Sequence, residues 1–373
     1  NLTYIYMFAT NTLTIKGTGD IPDSNRSNSI FQEYIYILQH IQIDENITSI
    51  GSYSLYKFLT LETVIIEGNL TEIRIDAFYL CSSLSSLLYK GRLSPGYWSS
   101  AFEKCDKLTS IDVNYYYKND RFCGIPTNLI IPENISEISG ECGNGITFKY
   151  NFPTYTLAII GIGDMANYDH LYNNQPYANY RYIVRYLNIE EGITSIGKNV
   201  FKLFISLISV NLSNSVTSIQ SDAFRGCIEL VSINISSIKY LGSSVFQNCS
   251  SLTLFEVPSG IDAIPDLLLS HCSSISSIYI PNTIISINTS AFSNCLSLST
   301  INIPESVVSI GSTAFYRCQS LSKIIIPESV TSIGSYAFQY CTSLQSVIIN
   351  GNVTFINKDA FCNCNSLSDF LYK

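Results

Sequence analysis

Apolar and polar positions follow a fixed cycle in the last third of the chain. Phe292, Phe315, Phe338 and Phe361 recur every 23 residues, and Cys295, Cys318, Cys341 and Cys364 keep the same step. The segment from Leu321 to Ile326 has the two-residue period of a strand. Leu321, Ile324 and Ile326 are expected to point in, and Ser322, Lys323 and Ile325 to point out. Five further inward positions follow, at Val330, Ile333, Ala337, Phe338 and Cys341, and should line the opposite wall. One such unit cannot bury these side chains alone. Stacking on its neighbours buries them in a continuous core, with parallel strands about 4.8 Å apart. Pro304 and Pro327 come just after their strands, where a missing N–H harms the ladder least.

The cycle extends backward through Leu269 and Cys272 to Phe246 and Cys249, Phe224 and Cys227, and Phe201 with Phe204 in the Cys place. One unit, from Phe224 to Phe246, has 22 residues instead of 23. The first part of the chain repeats the idea at Leu55, Phe78 and Phe102, with Phe58, Cys81 and Cys105 in the Cys place. A longer duplication, with an offset of 144, relates Leu2–Asp20 to Ile146–Asp164. Two modules are therefore expected, at 1–142 and 143–373, each a cap followed by repeats. A hairpin such as residues 2 to 16 suits a cap over an open core end. The chain opens at Asn1 without an initiator Met and stops inside a repeat unit, which reads as a piece of a longer protein.

A period of roughly 20 to 29 residues opening with L-x-x-I-x-I is a leucine-rich-repeat pattern. The consensus I-P-x-S-V-x-S-I-G-x-x-A-F-x-x-C-x-S-L, met in full at 303–321 and 326–344, strongly resembles the BspA-like leucine-rich repeats. The resemblance covers nearly the whole chain, is most specific over residues 275 to 367 and weakens at 90 to 145. It implies a curved leucine-rich-repeat solenoid. Short parallel β-strands would form its concave face, irregular or short helical segments its convex side, and β-hairpin segments its caps. It also implies a surface or secreted protein, of the kind found in mucosal bacteria and protist parasites, some of which act as adhesins.

Composition narrows the rest. Charged residues are 13% of the 373, against about 25% in a typical soluble domain. The net charge is −8, which speaks against nucleic-acid binding. No apolar run approaches the roughly 18 to 20 residues that span a bilayer, so membrane attachment would need segments outside this chain. Nine of the twelve cysteines fall in the Phe-x-x-Cys position: Cys81, Cys105, Cys227, Cys249, Cys272, Cys295, Cys318, Cys341 and Cys364. These read as buried free thiols. Cys362 reads as exposed, and Cys123 with Cys142 forms a candidate disulfide. His40, His170 and His271 lie in separate segments, none beside a nucleophile motif. Gly17-Thr18-Gly19 and Gly161-Ile162-Gly163 lack the final glycine of a dinucleotide loop and read as cap turns. No catalytic, cofactor or metal site is expected, and the chain reads as a non-enzyme.

Ten sequons head N-x-[ST], at Asn1, Asn25, Asn46, Asn69, Asn134, Asn211, Asn234, Asn248, Asn288 and Asn352. Chance alone gives roughly seven, so they are candidate N-glycosylation sites that fit a secreted glycoprotein without requiring one. The outward strand column Asn188, Asn211, Asn234, Glu256, Tyr279, Asn302, Ile325 and Ile348 is the candidate ligand-binding face. Tyr168, Tyr172, Tyr177, Tyr180, Tyr182 and Tyr186, with Tyr97, Trp98 and Tyr115–Tyr117, are either interface anchors or cap packing. The function expected is adhesion or protein binding, outside the cell or at its surface. Its partners would be host or microbial cell-surface or matrix proteins, or glycans, with self-association as a further option. The alternative is a spacer that presents other binding elements.

Overall fold

The computed structural model describes residues 2–26, 29–115, 117, 121–132, 135–168, 175–351 and 353–373. Nearly all regular structure among them is short β-strand, and the two 3-10 turns, Gln32–Tyr34 and Ala178–Tyr180, lie in the lead-in segments. The chain divides into two compact units, Asn1–Asn134 and Ile135–Lys373. The sequence boundary at 142/143 falls later, at the end of the strand Glu137–Gly143. That strand pairs antiparallel with Ile146–Asn151, and these bonds tie it to the second unit.

The first unit opens with the antiparallel hairpin Leu2–Met7 and Thr12–Gly17. Thr12–Gly17 then starts a parallel ladder through His40–Ile43, Thr63–Ile66, Ser86–Tyr89, Ile111–Asn114 and Ile125–Ile130. The short strand Arg121–Phe122 folds back antiparallel onto the last of these. The second unit opens with three antiparallel strands, Glu137–Gly143, Ile146–Asn151 and Thr156–Gly161. Its parallel ladder runs through Tyr186–Ile189, Ser209–Leu212 and Ser232–Ile233. Two more parallel groups follow: Leu254–Glu256 with Ser277–Tyr279 and Thr300–Ile301, then Lys323–Ile326 with Ser346–Ile349 and Asp369–Tyr372.

Each regular turn has three walls. The first carries the ladder just described. The second was expected to be irregular or helical and is a second parallel ladder instead. Ser286–Ile287, Ser309–Ile310, Ser332–Ile333 and Phe355–Ile356 pair in register. The cause is the repeat itself: Ile287, Ile310 and Ile333 are buried there, so matching Ser-Ile dipeptides face each other at ladder distance.

The third wall is hydrogen-bonded as well. The N–H groups of Thr313, Phe315 and Arg317 donate to the carbonyls of Ser335, Ala337 and Gln339 at 2.9, 2.8 and 2.9 Å. To present them, the residues before the Ala-Phe pair and before the Cys adopt positive φ, 54° at Thr313 and 58° at Arg317. Each such non-glycine residue costs roughly 1–2 kcal/mol, offset by the bonds the bend permits.

All eight inward positions of the Leu321–Cys341 turn are buried. The phenylalanines stack face to face along the axis, with centroids 5.0 Å apart for Phe315–Phe338 and 5.1 Å for Phe338–Phe361. The nine ladder cysteines are buried free thiols. Each donates its S–H to the carbonyl of the ladder residue one turn earlier: Cys249 to Phe224 at 3.3 Å, Cys318 to Phe292 at 3.3 Å, Cys341 to Phe315 at 3.2 Å. This explains cysteine where any small apolar residue would fill space. Burial pushes the Cys249 and Cys295 thiols up to about 12, so they resist forming thiolate.

Candidate binding face and groove

The outward column lies within the second unit. Register places Asn188 beside Asn211, Glu256 beside Tyr279, and Ile325 beside Ile348 and then Leu371. Asn211, Asn234, Glu256, Tyr279, Asn302 and Ile325 are exposed, while Asn188 and Ile348 are half-buried. Tyr279 is 65% exposed and Ile325 43%. Strand pleat dictates this: Phe255, Ile278 and Ile324, one step earlier, face the core.

The column is not continuous. Strand pairing stops between Ser232–Ile233 and Leu254–Glu256, and again between Thr300–Ile301 and Lys323–Ile326. At the first break the second wall parts too, between Tyr240–Leu241 and Ala263–Ile264. At the other break the second wall stays paired, Ser309–Ile310 with Ser332–Ile333. The third wall crosses the first break intact: Ser244, Phe246 and Asn248 donate to Asp266, Leu268 and Ser270 at 2.9, 3.1 and 2.9 Å.

One local departure from the repeat coincides with this double opening. The 22-residue unit lacks one residue at the corner between its first two walls. Ile235-Ser236-Ser237-Ile238 stands where the next regular unit has Ile303-Pro304-Glu305-Ser306-Val307. The following turn has Gly260 at the corner position that holds Ser237, Ser306 and Ser329 in other turns and Gly192 or Thr283 in others again. Corner serines tie adjacent turns: Ser237 donates to the Val216 carbonyl at 2.9 Å, Ser306 to Ile284 at 2.7 Å and Ser329 to Val307 at 2.7 Å. Glycine has no hydroxyl for that bond. It is required there because a Cβ would lie 2.4 Å from the Ile238 carbonyl oxygen. The double opening falls at the shortened corner.

A groove of about 560 Å³ opens on the first-wall side. Asn234, Glu256 and Tyr279 from the column line it, with Leu254, Val257 and Pro258. A second groove, about 580 Å³, opens on the second-wall side and includes Lys239, Tyr240, Asp262 and Asp266; Ser259 borders both. The column was legible in the sequence and the groove was not. Its signal was the single short unit, whose period alone does not say which corner is shortened.

The tyrosines of the lead-in segments mostly pack. Tyr177 and Tyr180 are buried, Tyr150 stacks on Tyr180 at 5.1 Å, and Tyr168 donates its hydroxyl to the Cys142 carbonyl at 3.1 Å. Tyr117 is buried with its hydroxyl 3.1 Å from Ser94 Oγ. Tyr97, Trp98, Tyr182 and Tyr186 are exposed, and Tyr115 is half-buried. Tyr116, Tyr172 and His170 lie outside the described residues. His40 meets Thr63 Oγ1 at 2.8 Å, and His271 is exposed near Asn294. Among the described residues no group of three His, Cys, Asp or Glu side chains could hold a metal.

Cys123 and Cys142 are both free thiols, one in each unit. Burial pushes Cys142 up to about 11 and Cys123 higher still. Cys362 is half-buried rather than fully exposed. Of the sequons, Asn25, Asn46, Asn69, Asn211 and Asn234 are exposed, and Asn248 and Asn288 are half-buried. Asn1, Asn134 and Asn352 lie outside the described residues.

The BspA type leucine rich repeat region matches at residues 20–123, 174–284 and 262–373, in six copies. No curated protein matches the chain. Among solved structures it is similar to a leucine rich cell surface protein of Faecalibacterium prausnitzii, at 22% identity over 100% of this chain and 93% of that one, with a TM-score of 0.39. Leucine-rich repeat proteins of Eubacterium ventriosum (19%, covering 95% of each chain, TM-score 0.45) and Bacteroides ovatus (17%, 100% and 75%, 0.44) are also similar. At these scores the superpositions carry no argument about function.

Proposed function

The chain belongs to the BspA-type leucine-rich-repeat family, and from that premise we propose that it is a surface or secreted protein that binds other proteins through its first-wall face. One observation carries this reading. Ile325, Ile348 and Leu371 stand side by side on the solvent face of one ladder, with Tyr279 exposed further along the column. An exposed apolar row is the kind of surface that partners cover. The partners fitting this reading are cell-surface or matrix proteins of a host or a neighbouring microbe, and the outcome is adhesion. Catalysis has no place in it. Among the described residues no helix is long and apolar enough to cross a membrane.

The test is saturable binding of this chain, carrying its native glycans, to cells and to immobilised matrix proteins. Replacing Tyr279 by Ala and Ile325 by Asp together should weaken binding at least tenfold. Saturable binding that ignores this pair would move the site elsewhere, and no saturable binding at all would favour the spacer role.

A further inference from the structure

We propose that the first-wall groove is a subsite for a cationic side chain, an arginine or lysine presented by an extended segment of a protein partner. The proposal rests on the protein-binding reading above and names the chemistry that the face selects.

The argument starts from the break in the sheet. Because the corner at Ile235–Ile238 is one residue short, the strands Ser232–Ile233 and Leu254–Glu256 part instead of pairing. The backbone bond from Thr253 to the Val231 carbonyl, at 3.4 Å, stands just ahead of the opening. At the other first-wall break, between Thr300–Ile301 and Lys323–Ile326, the second wall stays paired. At the double opening the first wall offers a cleft of about 560 Å³, room for one long side chain and the backbone on either side of it.

The lining then sets the chemistry. Glu256 supplies a carboxylate, and the Tyr279 ring stands beside it because the two residues are direct partners in the parallel ladder. Both are exposed, so the pair is unused by the fold. A carboxylate next to an aromatic face attracts a cation twice, by charge and through the ring quadrupole. Leu254, Val257 and Pro258 provide apolar wall for the methylene stem that precedes such a charge. Among the described residues no Lys, Arg or His lines this groove, and the chain carries a net charge of −8. An acidic or neutral segment would leave the Glu256 carboxylate facing it without compensation. Asn234, also in the lining, heads a sequon. A glycan there would stand at the mouth of the groove, so its occupancy would gate access.

The experiment uses the whole chain and two fluorescein-labelled peptides, Thr-Val-Arg-Val-Arg-Val-Thr and its isosteric neutral counterpart with citrulline at both arginines. Fluorescence anisotropy at low salt should show the arginine peptide binding at least tenfold more tightly than the citrulline peptide. Glu256→Gln should remove that preference, and Tyr279→Ala should reduce it. Glu305→Gln, at an exposed turn outside the groove, should leave it intact. Equal affinity for both peptides, or an equal loss from Glu305→Gln, would overturn the proposal. If Glu256→Gln leaves cell binding unchanged while the Tyr279 and Ile325 pair abolishes it, the cationic subsite fails and the protein-binding face stands.

Discussion

The turns around Lys323–Ile326 and Ser346–Ile349 are bonded differently from those around Ser232–Ile233 and Leu254–Glu256. In the first pair all three walls are bonded: Ile324–Val347 in the first, Ile333–Ile356 in the second, and Phe338 to Ala360 at 2.7 Å in the third. In the second pair only the third wall crosses. The corner of one turn in the second pair is a residue short, and the corners of the first pair are full length. The lesson is that the walls are independent in register. The Phe and Cys ladder can hold two turns together while the two sheets part, and a binding groove arises without any insertion.

This contrast can be pressed at several strengths. The largest effect should come from alkaline pH, which acts on most of the third wall. In the folded chain burial raises eight of the nine ladder thiols, to about 12 at Cys249 and Cys295 and about 11 at Cys364, while the hydrogen bond with Cys81 lowers Cys105. Unfolded thiols ionise from about 8.5. A folded-state value above the unfolded one means stability is fully present below about pH 8.5 and is lost as pH rises toward the folded values, by about 1.4 kcal/mol per thiol per pH unit. Thermal melts should therefore be flat from about pH 6 to 8 and fall steeply above about 9. A flat profile through that range would mean the thiols are not held neutral.

Truncating ladder phenylalanines separates the two regions next. Phe315→Ala should cost about 3–5 kcal/mol by melting or urea titration, as a buried large-to-small change. Phe246→Ala should cost as much and also divide unfolding into two steps, because Phe246 lies in the only wall that crosses the opening. A single cooperative transition in both variants would contradict the independence of the walls. Smaller again is the corner. Gly260→Ala forces a Cβ against the Ile238 carbonyl and should cost about 1–3 kcal/mol. Cys318→Ala removes one S–H bond and some packing, for about 1–2 kcal/mol. It leaves the Phe292 carbonyl still bonded to the Cys295 N–H. The smallest change is favourable: His271 is exposed with φ of 65°, and His271→Gly should add about 0.5–1 kcal/mol.

Much of this architecture is legible in the residues. The alternation at Leu321–Ile326 gives the first wall, the 23-residue step gives the stacking, and Phe58 and Phe204 in the Cys place show that the site is apolar. Other parts are not. The hydrogen-bonded third wall depends on positive φ at Thr313, Leu267 and Tyr336, residue types with no preference for that conformation, so only the tertiary ladder imposes it. The second ladder hides because two-residue strands such as Ser332–Ile333 are shorter than any periodicity can reveal. The strand Glu137–Gly143 pairs across a tight turn that the duplication does not include, since its counterpart would precede Leu2. The groove was not legible: the sequence shows that a residue is missing after Phe224, but not that two walls part there.

The central claim is that one short corner parts two walls and spares the third. Amide hydrogen exchange of the intact chain tests it most directly. The account predicts that Phe246 and Asn248 exchange as slowly as Phe315 and Phe338. The amides of Leu254, Glu256 and Ala263 should exchange at least a hundredfold faster than those of Val347, Ile349 and Ile333. Uniform slow exchange across all three walls at this position would contradict it.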